Sequence, residues 1–339
     1  MADRFYKRLG LSKRGIKRLK RLFNLKYKEF YEKGLFMHYF SPLLPFVAGW
    51  VLLLFSASLA SIGLINGVLQ LILFALVVCL PIWRTGRMSY VDIGWPWGLV
   101  LIGVLTWLLS PGDELRVAVV SLAYIFAGGR MGLGAVKMWQ QGFLKREFPR
   151  YEYQKQRWAT AGKTNTALAM QVEGMVQGLA NASFLALPAF VIATNPNAAI
   201  SMFEVLGLLV WLAAFVMESI ADTQKLAFLR EMKKTGQKNQ VCNVGLWGYS
   251  RHPNYFAEWM VWNGLLIAAI PSWLALYQAE SLLIWLLLGG ALLSVSRFMY
   301  TTLVHYTGAV PSEHYSVQKR PEYKAYQQTT NRFFPGPKK

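Results

Sequence analysis

Leu282-Leu-Ile-Trp-Leu-Leu-Leu-Gly-Gly-Ala-Leu-Leu-Ser-Val295 runs without a single charged residue, and Trp50–Ile65 is a second run of the same kind. Apolar stretches that extend to about 20 residues can cross a bilayer as helices. Working outward from these two, the chain divides into eight apolar spans near residues 41–64, 66–83, 88–110, 115–136, 166–193, 199–220, 253–271 and 279–304. The expected fold is therefore all-α, a polytopic membrane bundle of about eight transmembrane helices. Composition agrees. Of the 339 residues 54% are hydrophobic, 14% aromatic and only 16% charged, where a soluble domain carries about a quarter charged. This excludes a soluble enzyme. The first 35 residues are basic without a continuous apolar core, so no cleavable signal peptide is expected. Cys79 in an apolar run and Cys242 in a polar loop argue against a disulfide framework or a cysteine metal site, and no metal is expected.

The net charge of +19 is explained by its placement. Short connections join spans 1 to 2, 3 to 4, 5 to 6 and 7 to 8, and they hold almost no Lys or Arg. Of the 36 basic residues, 34 lie on the other side, in residues 1–40, at Arg84 and Arg87, and in 137–163, 221–251 and 297–339. The positive-inside rule then puts both termini and all long loops in the cytoplasm. The expected location is a multi-pass membrane protein, in a bacterial inner membrane, with its active site open to the cytoplasm. Three parts are expected: a basic interfacial segment at 1–40, an extra transmembrane pair at 41–86, and a core at 87–339 whose cytoplasmic half covers about 215–335. Lys13-Arg14-Gly-Ile-Lys17-Arg18-Leu-Lys20-Arg21-Leu-Phe23 interleaves cations with apolar residues, a pattern for anionic membrane lipid. No nucleic-acid reader motif follows it, and no nucleic-acid partner is expected. The loops 137–165 and 221–252 are too long for tight turns and are expected to cover something.

Charge inside a span costs at least about 2.5–3.5 kcal/mol, so each instance needs a reason. Asp92, Arg130, Glu173, Glu218 and Glu258 lie on five different spans. At a rise of about 1.5 Å per residue all fall within about 12 Å of the cytoplasmic face. Groups of this kind at one depth suggest the wall of a single pocket. Pairing of Arg130 with Asp92 or Glu173, purely for packing, is the alternative. Glu204 and Glu280 sit at outer helix ends, where water is expected to reach them. In span 5, Gln171 and Met175 form one i, i+4 pair; Glu173 and Gln177 form another on roughly the opposite face, continued by Asn181. This polar stripe suits either a substrate or interhelical hydrogen bonds.

From Glu218 the sequence becomes specific. Glu218, Asp222 and Lys225 occupy adjacent turns, with Arg230 beyond. Gly245-Leu246-Trp247-Gly-Tyr249-Ser-Arg251-His252-Pro253-Asn254-Tyr255-Phe-Ala-Glu258 then leads into span 7. Arg251 and His252 can meet phosphate at the membrane surface, Pro253 suits a first helical turn, and Asn254 lies one turn from Glu258. Trp247, Tyr249 and Tyr255 offer ring faces for a flat heterocycle. The tail adds Tyr315, Lys319, Tyr323 and Tyr326. An interfacial aromatic belt accounts for the Trp and Tyr enrichment, but not for Arg-His-Pro-Asn-Tyr followed by an intramembrane Glu.

This Gly-Leu-Trp-x-Tyr-Ser-Arg-His-Pro-Asn-Tyr-Phe-x-Glu-Trp run, with the closing Tyr-x-x-Tyr-Gln-x-x-Thr and Phe-x-Pro, resembles the steroid 5-alpha-reductase C-terminal domain superfamily over about 215–335. A weaker likeness runs through Tyr90-Val-Asp92-x-x-Trp95, Arg130 and Gln177. The resemblance implies a helical membrane enzyme that binds NADPH, or NADH, in its cytoplasmic half. Such an enzyme reduces a carbon–carbon double bond conjugated to a carbonyl in a steroid-like or other lipid-like substrate. On that reading Glu218, Asp222, Lys225, Arg230, Leu246, Trp247, Tyr249, Arg251, His252, Asn254, Tyr255, Glu258, Tyr315, Lys319, Tyr323 and Tyr326 hold the cofactor. Gln171, Met175 and Gln177 meet the substrate, and Asp92, Glu173, Tyr124 and Arg130 are the catalytic candidates. The steroid reductases carry a Gln-Glu pair where this chain has Val91-Asp92. Their partner tyrosine falls near Ala127, with Tyr124 one turn away. Isoprenylcysteine carboxyl methyltransferases share an Arg-His-Pro-x-Tyr run, so a membrane methyltransferase using S-adenosylmethionine is the alternative; it usually has a small residue where this chain has Glu258. A non-catalytic lipid-binding protein is the third reading.

Overall fold

The computed structural model describes residues 34–338. The basic stretch 13–23, expected at anionic lipid, lies outside them. Among the described residues the regular elements are all helices, with no strand, and eight of them are long and apolar enough to cross a membrane. We label them with the short surface helices in chain order. They are α1 (Phe36–Phe55), α2 (Ala60–Thr85), α3 (Met88–Leu109), α4 (Glu114–Gln140), α5 (Pro149–Thr160), α6 (Thr166–Ala193), α7 (Met202–Thr235) and α8 (Pro253–Gln278). After these come α9 (Leu282–Thr301), α10 (Ala309–Lys319) and α11 (Tyr323–Thr329). All but α5, α10 and α11 are spans, and the protein is a multi-pass membrane bundle.

The first turn lies at Ser56–Leu59, not at Ile65 as the apolar pattern suggested. Residues on both sides are equally apolar, so hydropathy cannot place it. It is held from a distant point in the chain. Glu280 accepts from Ser56 Oγ at 2.6 Å, Ala57 N at 3.0 Å and Ser58 N at 2.9 Å, satisfying donors that a helix break leaves open. Glu204 also departs from expectation. Instead of reaching water it is 3% exposed; it caps α7 with Ser201 and pairs with Arg116 Nε at 2.5 Å. These links fasten the side opposite the long basic loops.

α6 is the most enclosed helix. Gly174 and Gly178 admit Cys79 and Phe74 of α2 at distances a larger residue would close. α2 is thereby packed into the bundle, not appended to it. Three buried amides stitch the same region. Asn66 Nδ2 donates to Asn181 O at 3.2 Å, Gln70 Nε2 to Gly98 O at 2.8 Å, and Asn181 Nδ2 to Trp95 O at 3.1 Å. Asn181 therefore belongs to packing, as interhelical polar contacts in hydrocarbon do. The long loop at 137–165 folds into α5, which lies over the basic side. Tyr151, Gln154 and Trp158 face inward at helical spacing. Glu147 docks its start, accepting from Met88 N at 2.8 Å and Ser89 N at 3.1 Å.

α7, about 51 Å long at 1.5 Å per residue, outruns a hydrocarbon core of about 30 Å and continues beyond it on the basic side. It runs antiparallel to α8, and the two meet at Gly207 and Gly264. A Cβ on Gly264 would stand 2.6 Å from Trp211 N and 2.7 Å from Gly207 O. Gly264→Val should force the pair apart and lower the thermal unfolding temperature of the detergent-solubilised protein. Gly290→Ala on α9, where an added Cβ meets nothing within 4 Å, should leave it unchanged.

Candidate functional site

α4, α7 and α8 bring polar side chains to one point on the basic side. Arg130 donates through Nη1 to Asp222 at 2.8 Å and through Nη2 to Glu218. Asn254 Nδ2 donates to the other oxygen of Asp222 at 3.2 Å. Half-buried Glu258 lies within electrostatic reach of Glu218, Arg130 and Asp222. Each helix contributes an i, i+4 pair, Glu218 with Asp222 and Asn254 with Glu258, so antiparallel packing sets the two pairs face to face. Arg130 thus pairs with α7, not with Asp92 or Glu173. Three carboxylates surround one guanidinium, and two buried atoms, Arg130 Nε and Asn254 Oδ1, have no partner. Each such atom costs about 1–3 kcal/mol, which a ligand at this point would recover.

Asp92 takes its partners from α5, accepting from Arg150 and from the Tyr151 hydroxyl at 2.6 Å. Burial opposes the charge on Arg150, yet Asp92 beside it, with Tyr151 and Tyr255, holds the guanidinium well above its ordinary value. Asp92 is an acceptor here. The donors at this point are Arg150 and Tyr151, so this catalytic candidate is engaged by two partners of α5. Tyr255 lies within reach of Arg150, Glu258, Asp222 and Asp92 and joins this group to the first. Its ring stacks on His252, with centroids 5.3 Å apart and planes at 4°.

Glu173 faces elsewhere, so the groups expected around one chamber fall into two separate clusters. A cavity of about 430 Å³ opens between α1, α5, α6 and α9, with Phe46, Trp158, Val172, Val176 and Phe298 as its apolar wall. Its polar end is Glu173, which accepts from Gln177 Nε2 at 2.9 Å and from the Tyr306 hydroxyl. Gln154 Nε2 donates to the Tyr306 oxygen at 3.2 Å, and the Arg157 guanidinium lies 5.6 Å from that ring. Of the three expected substrate residues only Gln177 lines the cavity. Gln171, on the opposite face of α6, donates to Cys79 O at 3.0 Å, and Met175 shares that face. Tyr124 is 2% exposed, donates its hydroxyl to Leu185 O at 2.7 Å and packs edge-on to Trp262. It is a core residue, which corrects its catalytic assignment.

Arg251 and His252 are also turned inward. Arg251 is 5% exposed. Its Nε meets Glu313 at 2.7 Å, Nη2 the other Glu313 oxygen at 3.2 Å, and Nη1 the carbonyls of Gln327 and Thr330. His252 Nε2 lies 3.2 Å from Glu313, and burial pushes its imidazole below the ordinary value. Every nitrogen of the Arg251 guanidinium is occupied, so the pair clamps the C-terminal tail and does not face phosphate. Arg251 N donates to Asn331 O at 2.8 Å beside a single bridge between Ser250 and Asn331. Trp247 Nε1 donates to Ala221 O at 2.9 Å, Leu246 N to Gln224 at 2.9 Å, and buried Tyr326 donates to Trp247 O, with Tyr323 packed beside it. These four residues brace the loop. Lys225 Nζ lies 4.4 Å from the Trp247 ring centroid. Tyr249, Arg230 and Lys319 are exposed, and Tyr315 is half-buried on α10.

Arg150, Tyr151, Tyr306 and Glu313 were not anticipated. The amphipathic stretch 149–158 was a usable signal for the first two, but nothing local marks Glu313 as the partner of an arginine 62 positions away. Glu313→Ala should leave Arg251 buried without a counter-charge, at a cost of about 3–5 kcal/mol. The expected readouts are a lower unfolding temperature and proteolytic cleavage of the tail after Arg320.

A family model described as "Protein of unknown function (DUF1295)" matches residues 68–330. The match begins inside α2 and takes in every group of the two polar sites, while α1 stands outside it. No curated protein and no solved structure matches the chain. With most of its length matched, from α2 through α11, the chain belongs to the DUF1295 family, a family of unknown function.

Proposed function

We propose that the protein is a membrane-embedded, NADPH-dependent reductase of a carbon–carbon double bond conjugated to a carbonyl in a lipid-like substrate. The observation that carries this reading is the unspent hydrogen-bonding capacity of Arg130 Nε and Asn254 Oδ1 inside the Glu218–Asp222–Glu258 group. That group stands on the stretch resembling the steroid 5-alpha-reductases. The residues fit one half of the cofactor well. Carboxylates accept from ribose hydroxyls, and the Asn254 carboxamide complements an amide. With Arg251 committed to Glu313, the phosphates fall to Lys225 and Arg230 on the extension of α7. NADH fits the same acceptors.

When bound, the nicotinamide supplies a hydride to the β-carbon of the conjugated system. The chain supplies the rest. Tyr306 is the proton donor to the α-carbon. In the resting structure its O–H donates to Glu173, so the hydroxyl would turn from that carboxylate to reach the substrate, while Gln154 and the Arg157 guanidinium stabilise the phenolate left behind. α5 carries Arg150 and Tyr151 to the cofactor group and Gln154, Arg157 and Trp158 to the cavity, so it covers both and excludes water from each.

One observation favours the methyltransferase alternative: three carboxylates around one guanidinium complement a sulfonium without needing phosphate contacts. A thermal-shift panel with NADPH, NADH and S-adenosylmethionine separates the two. At a hundredfold excess over its Kd the true cofactor should stabilise by about 2.7 kcal/mol, and Asn254→Ala or Glu258→Gln should abolish the effect. Stabilisation by S-adenosylmethionine alone would overturn the reductase reading. Tyr306→Phe should slow turnover by about 10²–10⁴-fold while leaving the cofactor shift intact; unchanged turnover would remove Tyr306 from the mechanism.

A further inference from the structure

We infer that the cavity beneath α5 binds a single-chain anionic amphiphile, with Lys163 taking its carboxylate at the rim and α1 completing the apolar wall along its chain. This names the class of substrate for the reductase proposed above. It rests on that reading only for the step from ligand to substrate.

The charge at the rim is the first ground. Lys163 is half-buried, and among the described residues no carboxylate oxygen lies within 4 Å of it; its Nζ stands 5.6 Å from the Tyr39 ring. Burial pushes its ammonium below the ordinary value, and the Glu173 carboxylate deeper in the cavity offsets this only in part. Arg157, on the same rim, reaches only the Gln154 side-chain oxygen and the His305 carbonyl, both at 3.5 Å. Glu173, the one carboxylate lining the cavity, lies deeper and is engaged by Gln177 and Tyr306. Among the described residues lining the cavity, two cations stand against the single carboxylate Glu173, and the net positive charge complements an anionic headgroup.

The second ground is shape and lining. About 430 Å³ falls within the range of small-molecule sites, about 300–1,000 Å³. Beyond Glu173 the wall is apolar, formed by Val172 and Val176 of α6 facing Phe298 of α9 and Phe46 of α1. α1 lies outside the family match, yet Phe46 packs edge-on to Phe298 at 5.1 Å and closes the side that would otherwise be open. An alkyl chain suits this wall, while a bare anion would leave it unused.

The test uses the full chain in phosphatidylcholine nanodiscs, with a diazirine-bearing palmitate analogue and its methyl ester as photo-crosslinking probes. Labelled residues are mapped by mass spectrometry. The acid should label the wall at Phe46, Val176 or Phe298 about fivefold more than the ester, as expected for one half-exposed ion pair. Lys163→Gln should bring the acid down to the ester, and Val176→Trp, which fills the cavity, should remove labelling by both. Equal labelling by acid and ester, an acid preference that survives Lys163→Gln, or labels confined to other surfaces would each overturn the inference. The NADPH thermal shift, measured on the same samples, reports folding of both variants. A retained shift with no acid preference defeats the lipid site alone. An acid preference without any NADPH shift defeats the reductase reading and leaves the lipid site standing.

Discussion

Two helices that touch backbone to backbone set the geometry of the acidic group. Gly207 and Gly264 remove the side chains that would hold α7 and α8 apart, and the helices then run antiparallel at close range towards the basic side. Near that side each presents an i, i+4 polar pair, which the register aligns: Glu218 and Asp222 against Asn254 and Glu258. A buried carboxylate is costly unless a charge or hydrogen bond answers it. Arg130 of α4 answers two of these and so draws a third helix in. The acidic group and the three-helix contact are thus one arrangement seen as chemistry and as packing.

The polar residues divide between two groups, and α5 touches both. Its Arg150 and Tyr151 reach Asp92 beside the acidic group, and its Gln154, Arg157 and Trp158 line the cavity that holds Glu173 and Tyr306. Buried Tyr151 and Trp158 seat α5 in an apolar cluster with Met88 and Val91 of α3. Ionic and hydrogen-bonded contacts add to this, with Glu147 anchoring its start to the first turn of α3 and Lys155 closing on Glu147 at 2.8 Å.

The Arg-His-Pro-Asn-Tyr run illustrates how the contacts of a motif can differ from those its spacing suggests. Its residues do converge on a site, but they divide their tasks. Asn254 and Tyr255 face the acidic group, while Arg251 and His252 turn back to Glu313 and pin the tail. Local spacing cannot separate the two roles, because the residue that decides them is 61 or 62 positions away. The stripe on α6 divides in the same manner. Glu173 and Gln177 line a cavity, and Asn181, one turn further, holds helices together.

The amino-acid sequence alone was sufficient for the class of fold, the number of spans and most of their limits. Those depend on local quantities, namely the length of apolar runs, the rise of a helix and the scarcity of charge. It also identified Arg130, Glu218 and Glu258 as residues needing an explanation, since charge in hydrocarbon is costly wherever it occurs, and reached Asp222 and Asn254 through their helical spacing and the stretch that resembles a known family. Which charge answers which was decided only by the tertiary structure. Arg130 had several carboxylates at a suitable depth, and helix order around the bundle selected between them. The turn at Ser56, the inward Arg251, the core position of Tyr124 and the cavity shared by α1, α6 and α9 have the same cause. Each depends on a partner distant in the chain, and a one-dimensional pattern carries the depth of a residue in the membrane but not its direction around a helix bundle.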